Sequence, residues 1–304
     1  LMPAQQVGEP PQLIAELPPE VLSFTNHAIT TKSYKKSCPL TVYSDANNHY
    51  TVGGCLVKPW KKQRRSLAIR NLNPYMINEV KEALQEQGIV VQSVQLGVTP
   101  DDNPQTLATY TSEPLTSIVK NMLTQSDNLA ADALLKTVGA KYNKQPGTWQ
   151  NGIHALQDIL STETGIDFHR TLLTDGAGLS RYNLTSPEQF AKLLYFIEQQ
   201  TKIRGDLKAA LPKPGAEGTL MYRLTSTRGS KRIAAKTGTM TGISSLAGYI
   251  NTKHNGRLIF VIMVNGFVGP AKKYQQFEDQ LCQRLINTKH TPRENITTAL
   301  QGKT

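Results

Sequence analysis

Two apolar runs joined through Asn255-Gly256 place the strongest limit on how this chain folds. Residues 246–252 and 258–265 are rich in strand-forming residues, and an Asn-Gly pair between two such runs is the strongest short-range indication of a β-hairpin. The segment 232–239, which ends in Lys236-Thr237-Gly238-Thr239, is typical of a third strand. We therefore predict an antiparallel sheet with these residues at its rim, where an extended peptide can pair with the strand edge.

A second polar triplet, Ser126-Asp127-Asn128, lies between two stretches with helical apolar spacing. Alone, such a triplet is a plain helix N-cap, and Lys-Thr-Gly alone is an ordinary polar strand end. Together, in this order and with the lysine on a strand, they are two of the three motifs of serine β-lactamases and penicillin-binding proteins. The pair predicts that both triplets face one cleft.

Two further stretches between the triplets narrow the comparison to one family. They are Pro146-Gly147-Thr148-Trp149 and Asp175-Gly176-Ala177-Gly178-Leu179-Ser180-Arg181. With them, residues 30–285 resemble the D-alanyl-D-alanine carboxypeptidase/endopeptidases of the penicillin-binding protein 4 type (class C, low molecular mass, peptidase S13). The family usually has Ser or Thr at the position of Ala177, so one hydrogen bond of that loop is not expected here.

The resemblance implies an α+β fold. We expect a penicillin-binding (serine β-lactamase-like) domain, in which helices pack on an antiparallel sheet, plus part of an inserted, mainly-β domain. The expected division is 1–104 for the C-terminal part of the inserted domain, 105–290 for the penicillin-binding transpeptidase-like domain and 291–304 for a flexible tail. The acidic, turn-rich stretch 99–104 marks the expected boundary.

The resemblance also implies catalytic roles for three residues. Ser126 relays a proton to the leaving amine as a shuttle next to a cation, because its own pKa is too high for a free base. Asn128 donates to the amide carbonyl of the substrate and accepts from a lysine. Lys236 supplies positive potential, and Asp127 is expected to cap a helix instead of reacting.

Substrate binding is expected at Thr237, Gly238 and Thr239. By resemblance, Thr237 holds the terminal carboxylate of the substrate, and the backbone N–H of Thr239 completes an oxyanion hole. The expected partners are peptidoglycan stem peptides and β-lactam antibiotics, and the expected location is the periplasm. The six histidines show no ligand spacing and no Gly-rich phosphate loop follows a strand, so we predict no metal, no cofactor and no nucleotide.

Members of this family carry their nucleophile in a Ser-x-x-Lys motif ahead of the inserted region, and this chain begins inside what resembles that insertion. Ser117-Ile118-Val119-Lys120 matches formally, but Ser117 and Ser126 would point about 180° apart on one helix and lie about 13 Å apart along its axis. Ser33-Tyr34-Lys35-Lys36 has no apolar helical run after it. We expect the nucleophile on an N-terminal portion that is absent from this chain and associates with it.

Two other functions match part of the pattern. A class A-like β-lactamase has both triplets and needs a glutamate close to the position of Glu163. The asparagine that it has four residues later is Asp167 here, and Glu163 lies at a predicted helix end, where an exposed carboxylate is unremarkable. The second alternative, a non-catalytic peptidoglycan-binding fragment, agrees with a chain that lacks the nucleophile.

The positive net charge and its distribution indicate which kinds of partner the chain can bind. The net charge of +11 suits an anionic partner, and the densest basic run, 58–65, is typical of a nucleic-acid or membrane-surface patch or of a solvated loop. We favour the solvated loop for this run and predict no nucleic-acid partner. For an envelope protein, contact of the basic surface with anionic wall polymer is a further hypothesis. No run of about 20 apolar residues is present, so we predict that the chain does not span a membrane.

The cysteines bear on the compartment. The midpoint between Cys38 and Cys55 falls in the predicted turn 44–48, so the two would face each other across a hairpin at disulfide distance. A disulfide indicates an oxidising compartment, and two buried thiols are the alternative. Cys282 is expected in the core of a C-terminal helix.

Local patterns predict the remaining elements. Helices are expected at 19–27, 74–87, 148–161, 274–286 and from 186, and strands at 66–70, 89–96 and 106–111.

Overall fold

In the computed structural model, the described residues are 1–33, 37–58, 63–65, 67–97, 105–106, 108–225 and 230–289. Contacts divide the chain into a first unit, Leu1–Thr109, and a second unit, Tyr110–Thr304. The stretch 99–104, expected to hold the boundary, and the expected tail, 291–304, lie outside the described residues. Among the described residues, no helix is long and apolar enough to cross a bilayer.

The first unit is built mainly of short strands. β1 pairs with β4 in parallel, β4 pairs with β3 antiparallel, and β2 pairs with β5 in parallel. Val21, Tyr50, Val52 and Leu56 are buried between these strands and the neighbouring segments. The elements are β1 Ser23–Asn26, β2 Ile29–Thr31, β3 Thr41–Ser44, β4 His49–Gly53, β5 Cys55–Val57 and α1 Leu72–Glu86.

Three local predictions in this unit are wrong, and one is confirmed. The helix expected at 19–27 does not form; residues 23–26 of this segment are strand β1, because pairing with the distant β4 overrides the local preference. No strand forms among the described residues of 66–70 or in 89–96. The helix expected at 74–87 is α1.

A buried asparagine explains why residues 67–70 do not form a strand. Asn48 is fully buried, and its Oδ1 accepts the backbone N–H groups of Arg70 and Asn71, both at 2.8 Å. The Tyr50 hydroxyl donates to the carbonyl of Ala68 at 2.8 Å. Side chains of β4 and its turn therefore satisfy backbone groups that a neighbouring strand would otherwise pair.

The disulfide Cys38–Cys55 is present, with its Cα atoms 5.4 Å apart. The predicted hairpin also forms, but the expectation that these cysteines face each other across it is wrong. Cys55 lies on β5, where it pairs with Ile29 of β2. The chain turns at Gly54 (φ +87°), where a Cβ atom would lie only 1.9 Å from the carbonyl oxygen of Pro39. This close approach, which requires glycine, brings the segment with Cys38 beside Cys55.

Removing the disulfide is expected to destabilise the first unit. The variant Cys38→Ala/Cys55→Ala should lose about 3 kcal/mol of unfolding free energy, since the bridge closes a loop with a sequence separation of 17. Urea unfolding followed by circular dichroism measures the loss. The reduced wild-type protein serves as the control and should match the variant, while equal midpoints for the oxidised protein and the variant would contradict the prediction.

In the second unit, helices pack on an antiparallel sheet with the strand order β6-β7-β8. The predicted hairpin is confirmed: Thr252 N–H donates to the carbonyl of Gly256 at 2.7 Å, and Gly256 has φ +66°. The strand expected at 106–111 does not form among the described residues. The elements are α2 Leu115–Gln125, α3 Asn128–Asn143, α4 Trp149–Thr164, α5 Pro187–Gln199, α6 Thr201–Ala210, β6 Ile233–Met240, β7 Ile243–Asn251, β8 Arg257–Asn265 and α7 Lys272–Asn287.

The core of this unit lies between α7 and one face of the sheet. Cys282, predicted as a core residue, is fully buried there, and burial raises the pKa of its thiol to about 12. Side chains alternate along a strand, so Ala234, Lys236 and Gly238 project from the opposite face of β6. The core cluster is Leu220, Leu224, Ile233, Ala235, Leu246, Ile250, Phe260, Cys282 and Ile286.

Candidate active site

Ser126 and Asp127 make a tight corner between α2 and α3. Ser126 ends α2 in the left-handed conformation (φ 60°, ψ 51°), which costs a non-glycine residue about 1 kcal/mol. The Asp127 side chain caps α3 by accepting the N–H of Ala130 at 3.1 Å, so the prediction that Asp127 caps a helix is confirmed. The caps hold the corner in its strained conformation and project the Ser126 side chain beyond both helices.

The structure brings Ser126 and Lys236 into direct contact. The ammonium of Lys236 donates to Ser126 Oγ at 2.8 Å and to the carbonyl oxygen of Thr237 at 3.0 Å. Burial lowers the pKa of Lys236. The contact joins the α2–α3 corner to the sheet edge, and it places a partly desolvated cation against a hydroxyl that is far away in sequence.

Asn128 begins α3, two residues after Ser126. Its side chain is exposed, and it makes no hydrogen bond to another described residue. Both the donor and the acceptor of this amide are thus available to a ligand.

The outer edge of β6 has backbone groups available for a ligand. The N–H of Ala235 points away from β7 and donates to the carbonyl of Pro212 at 3.0 Å. Because backbone direction repeats every two residues, the N–H groups of Thr237 and Thr239 point the same way, beyond the segment that covers Ala235. At Gly238 a Cβ atom would lie 2.4 Å from Ser245 Oγ, so a larger residue would displace the neighbouring strand's side chain.

Asp175 organises the loop that precedes α5. Its Oδ1 accepts the N–H of Gly178 at 2.6 Å and the side-chain amide of Asn183 at 2.8 Å, and its Oδ2 accepts the N–H of Ser180 at 2.7 Å. The stretch that begins at Asp175 is therefore a loop whose shape is fixed by hydrogen bonds among its own residues.

This loop joins α3 to the turn after β6. Asp132 Oδ1 accepts the N–H groups of Gly176 (2.7 Å) and Ala177 (3.1 Å), so the loop is bonded to α3 without a hydroxyl at residue 177. At its other end, the guanidinium of Arg181 donates to the carbonyl of Thr241 at 2.6 Å. The loop consequently lies beside both elements that hold Ser126 and Lys236.

Sequence reasoning missed two groups behind this site. Gln275 of α7 donates from Nε2 to Thr239 Oγ1 at 3.3 Å. Ser244, the cross-strand neighbour of Thr239, donates to the fully buried carboxylate of Glu278 at 2.6 Å. A carboxylate on the apolar face of the predicted C-terminal helix was the one signal in the sequence that could have indicated such a network.

The rival motif residues lie elsewhere. Ser117 and Lys120 are exposed on α2, and residues 34–36 of the other formal match are outside the described residues. Glu163 is exposed in the last turn of α4, and Asp167 caps a short 3-10 helix by accepting the N–H of His169. Among the described residues, no group of three or more metal-ligating side chains converges.

Comparisons with known proteins agree with the motifs. The D-Ala-D-Ala carboxypeptidase 3 (S13) family matches residues 1–287. The chain is 34% identical over 233 residues to D-alanyl-D-alanine carboxypeptidase DacB of Haemophilus influenzae, covering 76% of this chain and 48% of that protein. It is 35% identical over 199 residues to D-alanyl-D-alanine carboxypeptidase of Actinomadura sp. strain R39, covering 63% and 36%. The chain thus spans about half or less of the length of these relatives.

A solved structure supports the predicted fold class. Penicillin binding protein 4 (dacB) from Haemophilus influenzae, complexed with a β-lactam, superimposes with a TM-score of 0.76 at 30% sequence identity, covering 93% of this chain and 67% of that one. This confirms the predicted α+β penicillin-binding fold. The chain belongs to the D-Ala-D-Ala carboxypeptidase 3 (S13) family.

Proposed function

We propose that this protein is a serine-type D-alanyl-D-alanine carboxypeptidase/endopeptidase that acts on peptidoglycan stem peptides through an acyl-enzyme and is covalently inhibited by penicillins. The observation that carries the proposal is the 2.8 Å contact between Lys236 Nζ and Ser126 Oγ. Family membership and the likeness to a penicillin-binding protein that was solved with a β-lactam support it.

In this proposal the nucleophilic serine and its activating lysine come from a Ser-x-x-Lys segment outside these 304 residues, on a portion that associates with this chain. The greater length of the relatives supports such a portion. The exposure of Ser117 and Lys120 on α2 supports it too, because the hydroxyl that Lys236 contacts is that of Ser126 and not that of Ser117.

The proposed first step forms an ester and releases an amine. The nucleophilic serine passes its hydroxyl proton to the lysine of the same Ser-x-x-Lys segment while its oxygen attacks the carbonyl carbon between two D-alanines. The C–N bond then breaks, and the amine takes a proton from the Ser126 hydroxyl. Because Lys236 donates to Ser126 Oγ, the hydroxyl hydrogen of Ser126 is directed away from the lysine, toward the amine. The ammonium of the Ser-x-x-Lys lysine, which gained the proton of the nucleophile, returns a proton to Ser126, and water then hydrolyses the ester to release the acid and the free serine.

Binding of the substrate peptide is assigned to the edge of β6 and to Asn128. In the proposal Thr237 holds the terminal carboxylate, Gly238 lets the substrate backbone approach, and the N–H of Thr239 donates to the oxyanion with the nucleophile's own N–H. Loss of one such donor costs on the order of 3 kcal/mol of transition-state stabilisation. Asn128 donates to the substrate's amide carbonyl, for which its unpaired side chain is available.

We also propose a periplasmic location. The Cys38–Cys55 bridge supports it, because structural disulfides persist in oxidising compartments. The basic composition supports contact with anionic wall polymer, which raised salt should weaken in sedimentation with purified sacculi.

Mass spectrometry after incubation with a penicillin tests the proposed function. The complete protein, with its Ser-x-x-Lys segment, should gain one stable penicilloyl mass on that serine, because deacylation is slow in a penicillin-inhibited peptidase. The 304-residue chain alone is the control and should gain none. Absence of an adduct on the complete protein would indicate a non-catalytic peptidoglycan-binding protein, and rapid penicillin turnover would indicate a β-lactamase.

A further inference from the structure

A small pocket rich in cations lies at the N-terminal end of β6. Its volume is about 190 Å³, and five of its lining residues are positively charged. Ile233 and Ala234 of β6, together with Tyr249 and Asn251 of β7, form the remainder of the wall. The cations are Lys208, Lys213, Lys231, Arg232 and Arg257.

One carboxylate neutralises only part of this charge. Glu198 pairs with Lys208 at 2.8 Å and with Arg257. Among the described residues, neither Lys213 nor Lys231 has a carboxylate partner, and both are exposed at the pocket. The pocket therefore keeps an excess of positive charge that a bound anion would balance.

The wall of the pocket adds no negative charge of its own. Burial raises the pKa of Tyr249 to about 12, so its hydroxyl stays neutral, and it donates to the carbonyl of Leu194 at 2.9 Å. The ammonium of Lys208 lies 5.5 Å from the centre of the Tyr249 ring. Where the wall is apolar, at Ile233, Ala234 and the Tyr249 ring, it strengthens the field of the surrounding cations relative to open water.

We propose that this pocket binds a phosphate group. Its volume equals that of about six water molecules, which is enough for one compact oxyanion and the atoms next to it. A phosphate ester or diester offers several acceptor oxygens to the guanidinium and ammonium donors that surround the pocket. A single carboxylate offers fewer acceptors and at most one charge.

The position of the pocket relates it to the candidate active site. Ala234 lines the pocket and lies on the same face of β6 as Lys236, one side-chain repeat or about 7 Å along the strand. A phosphate-bearing polymer held in the pocket would consequently run close to the strand that we assign to peptide binding. The phosphate site does not depend on the proposed peptidase activity, since none of its cations belongs to the two motif triplets.

Calorimetric titration of the 304-residue chain tests this inference. Inorganic phosphate, pyrophosphate and acetate are the probes, at low and at raised ionic strength. We expect the two phosphates to bind more tightly than acetate and to weaken as salt is added. The variant Lys213→Gln/Lys231→Gln should bind phosphate at least about ten-fold more weakly, since two charge-assisted hydrogen bonds are lost.

Matched variants separate a site from a general charge effect. Lys81→Gln/Lys141→Gln removes the same charge from exposed helix positions outside the pocket and should change phosphate binding by less than about two-fold. Lys213→Arg/Lys231→Arg keeps the charge and should retain binding. Equal weakening in both glutamine variants, acetate binding as tight as phosphate, or no binding of any phosphate would overturn the proposal.

A polyphosphate titration distinguishes a phosphate-bearing polymer from a free phosphate ester as the ligand of this pocket. Tighter binding of polyphosphate than of pyrophosphate, lost in Lys213→Gln/Lys231→Gln, supports a phosphate-bearing polymer. Equal binding supports a free phosphate ester.

Discussion

Replacement of Lys236 by alanine is expected to slow penicillin acylation of the complete protein by on the order of a thousand-fold while the fold persists. The side chain donates to Ser126 Oγ at 2.8 Å and is the positive charge next to it. In the proposed mechanism its loss removes both the orientation of the proton shuttle and the potential that stabilises the developing anion. Its partial burial means that water replaces it without a large cavity. The acylation rate is measured by intact-mass spectrometry over time.

A charge-conserving variant and a pH profile sharpen this test. Lys236→Arg keeps the cation but not the compact ammonium, and it should recover part of the lost rate. Because burial lowers the pKa of Lys236 below the ordinary 10.5, the ammonium is lost as the pH rises through that lowered value. The wild-type rate should therefore fall on an alkaline limb below pH 10.5 that the arginine variant lacks. A Lys236→Ala variant that acylates at the wild-type rate would refute the role of the residue.

Arg223→Met should strongly destabilise the second unit, with a loss of about 3–5 kcal/mol of unfolding free energy. Arg223 donates to Glu278, which is fully buried, at 2.8 Å and to Asp279 at 2.6 Å. Burial disfavours the charge of Arg223, but these two carboxylates outweigh it and raise its pKa. Methionine keeps most of the volume and leaves the buried carboxylate without a cation, and chemical unfolding measures the cost.

A double variant separates the unpaired charge from lost packing. Arg223→Met/Glu278→Gln removes the charge, while the glutamine still accepts from Ser244, whose contact at 2.6 Å links α7 to the strand opposite Thr239. The double variant should regain much of the stability lost in Arg223→Met. A loss below about 1 kcal/mol in the single variant, or no recovery in the double variant, would show that the ion pair does not hold α7 to the segment that carries Arg223.

The elements that could be predicted from the sequence are those that local chemistry specifies. Asn255-Gly256 between apolar runs correctly indicated the β7–β8 hairpin. The helices expected at 148–161 and from 186 are α4 and α5, and each begins with a capping box, at Thr148 and at Ser186. At each of these positions the groups that hydrogen-bond to each other lie within a few residues along the chain. A local sequence pattern is therefore enough to predict the interaction.

Predictions failed where distant partners compete with local preference. Within the segment 19–27, residues 23–26 form a strand because β4, on the far side of a hairpin, pairs with them. Residues 67–70 do not pair as a strand because the side chains of Asn48 and Tyr50 form hydrogen bonds with their backbone groups. The disulfide was predicted, but its geometry depends on the approach of Gly54 to Pro39, which no local pattern shows.

For the candidate site, too, some features could be predicted from the sequence and others depend on the tertiary structure. The types of residue that the proposed chemistry needs could be predicted from the order of residues. They are a hydroxyl and an amide at a helix corner and an ammonium on a strand. The contact of Ser126 with Lys236, the lowered pKa of that lysine, and the support from Gln275 and Glu278 arise only when remote segments pack together. Desolvation and hydrogen-bond distance depend on every group around an atom, and folding brings those groups from parts of the chain that are far apart in sequence.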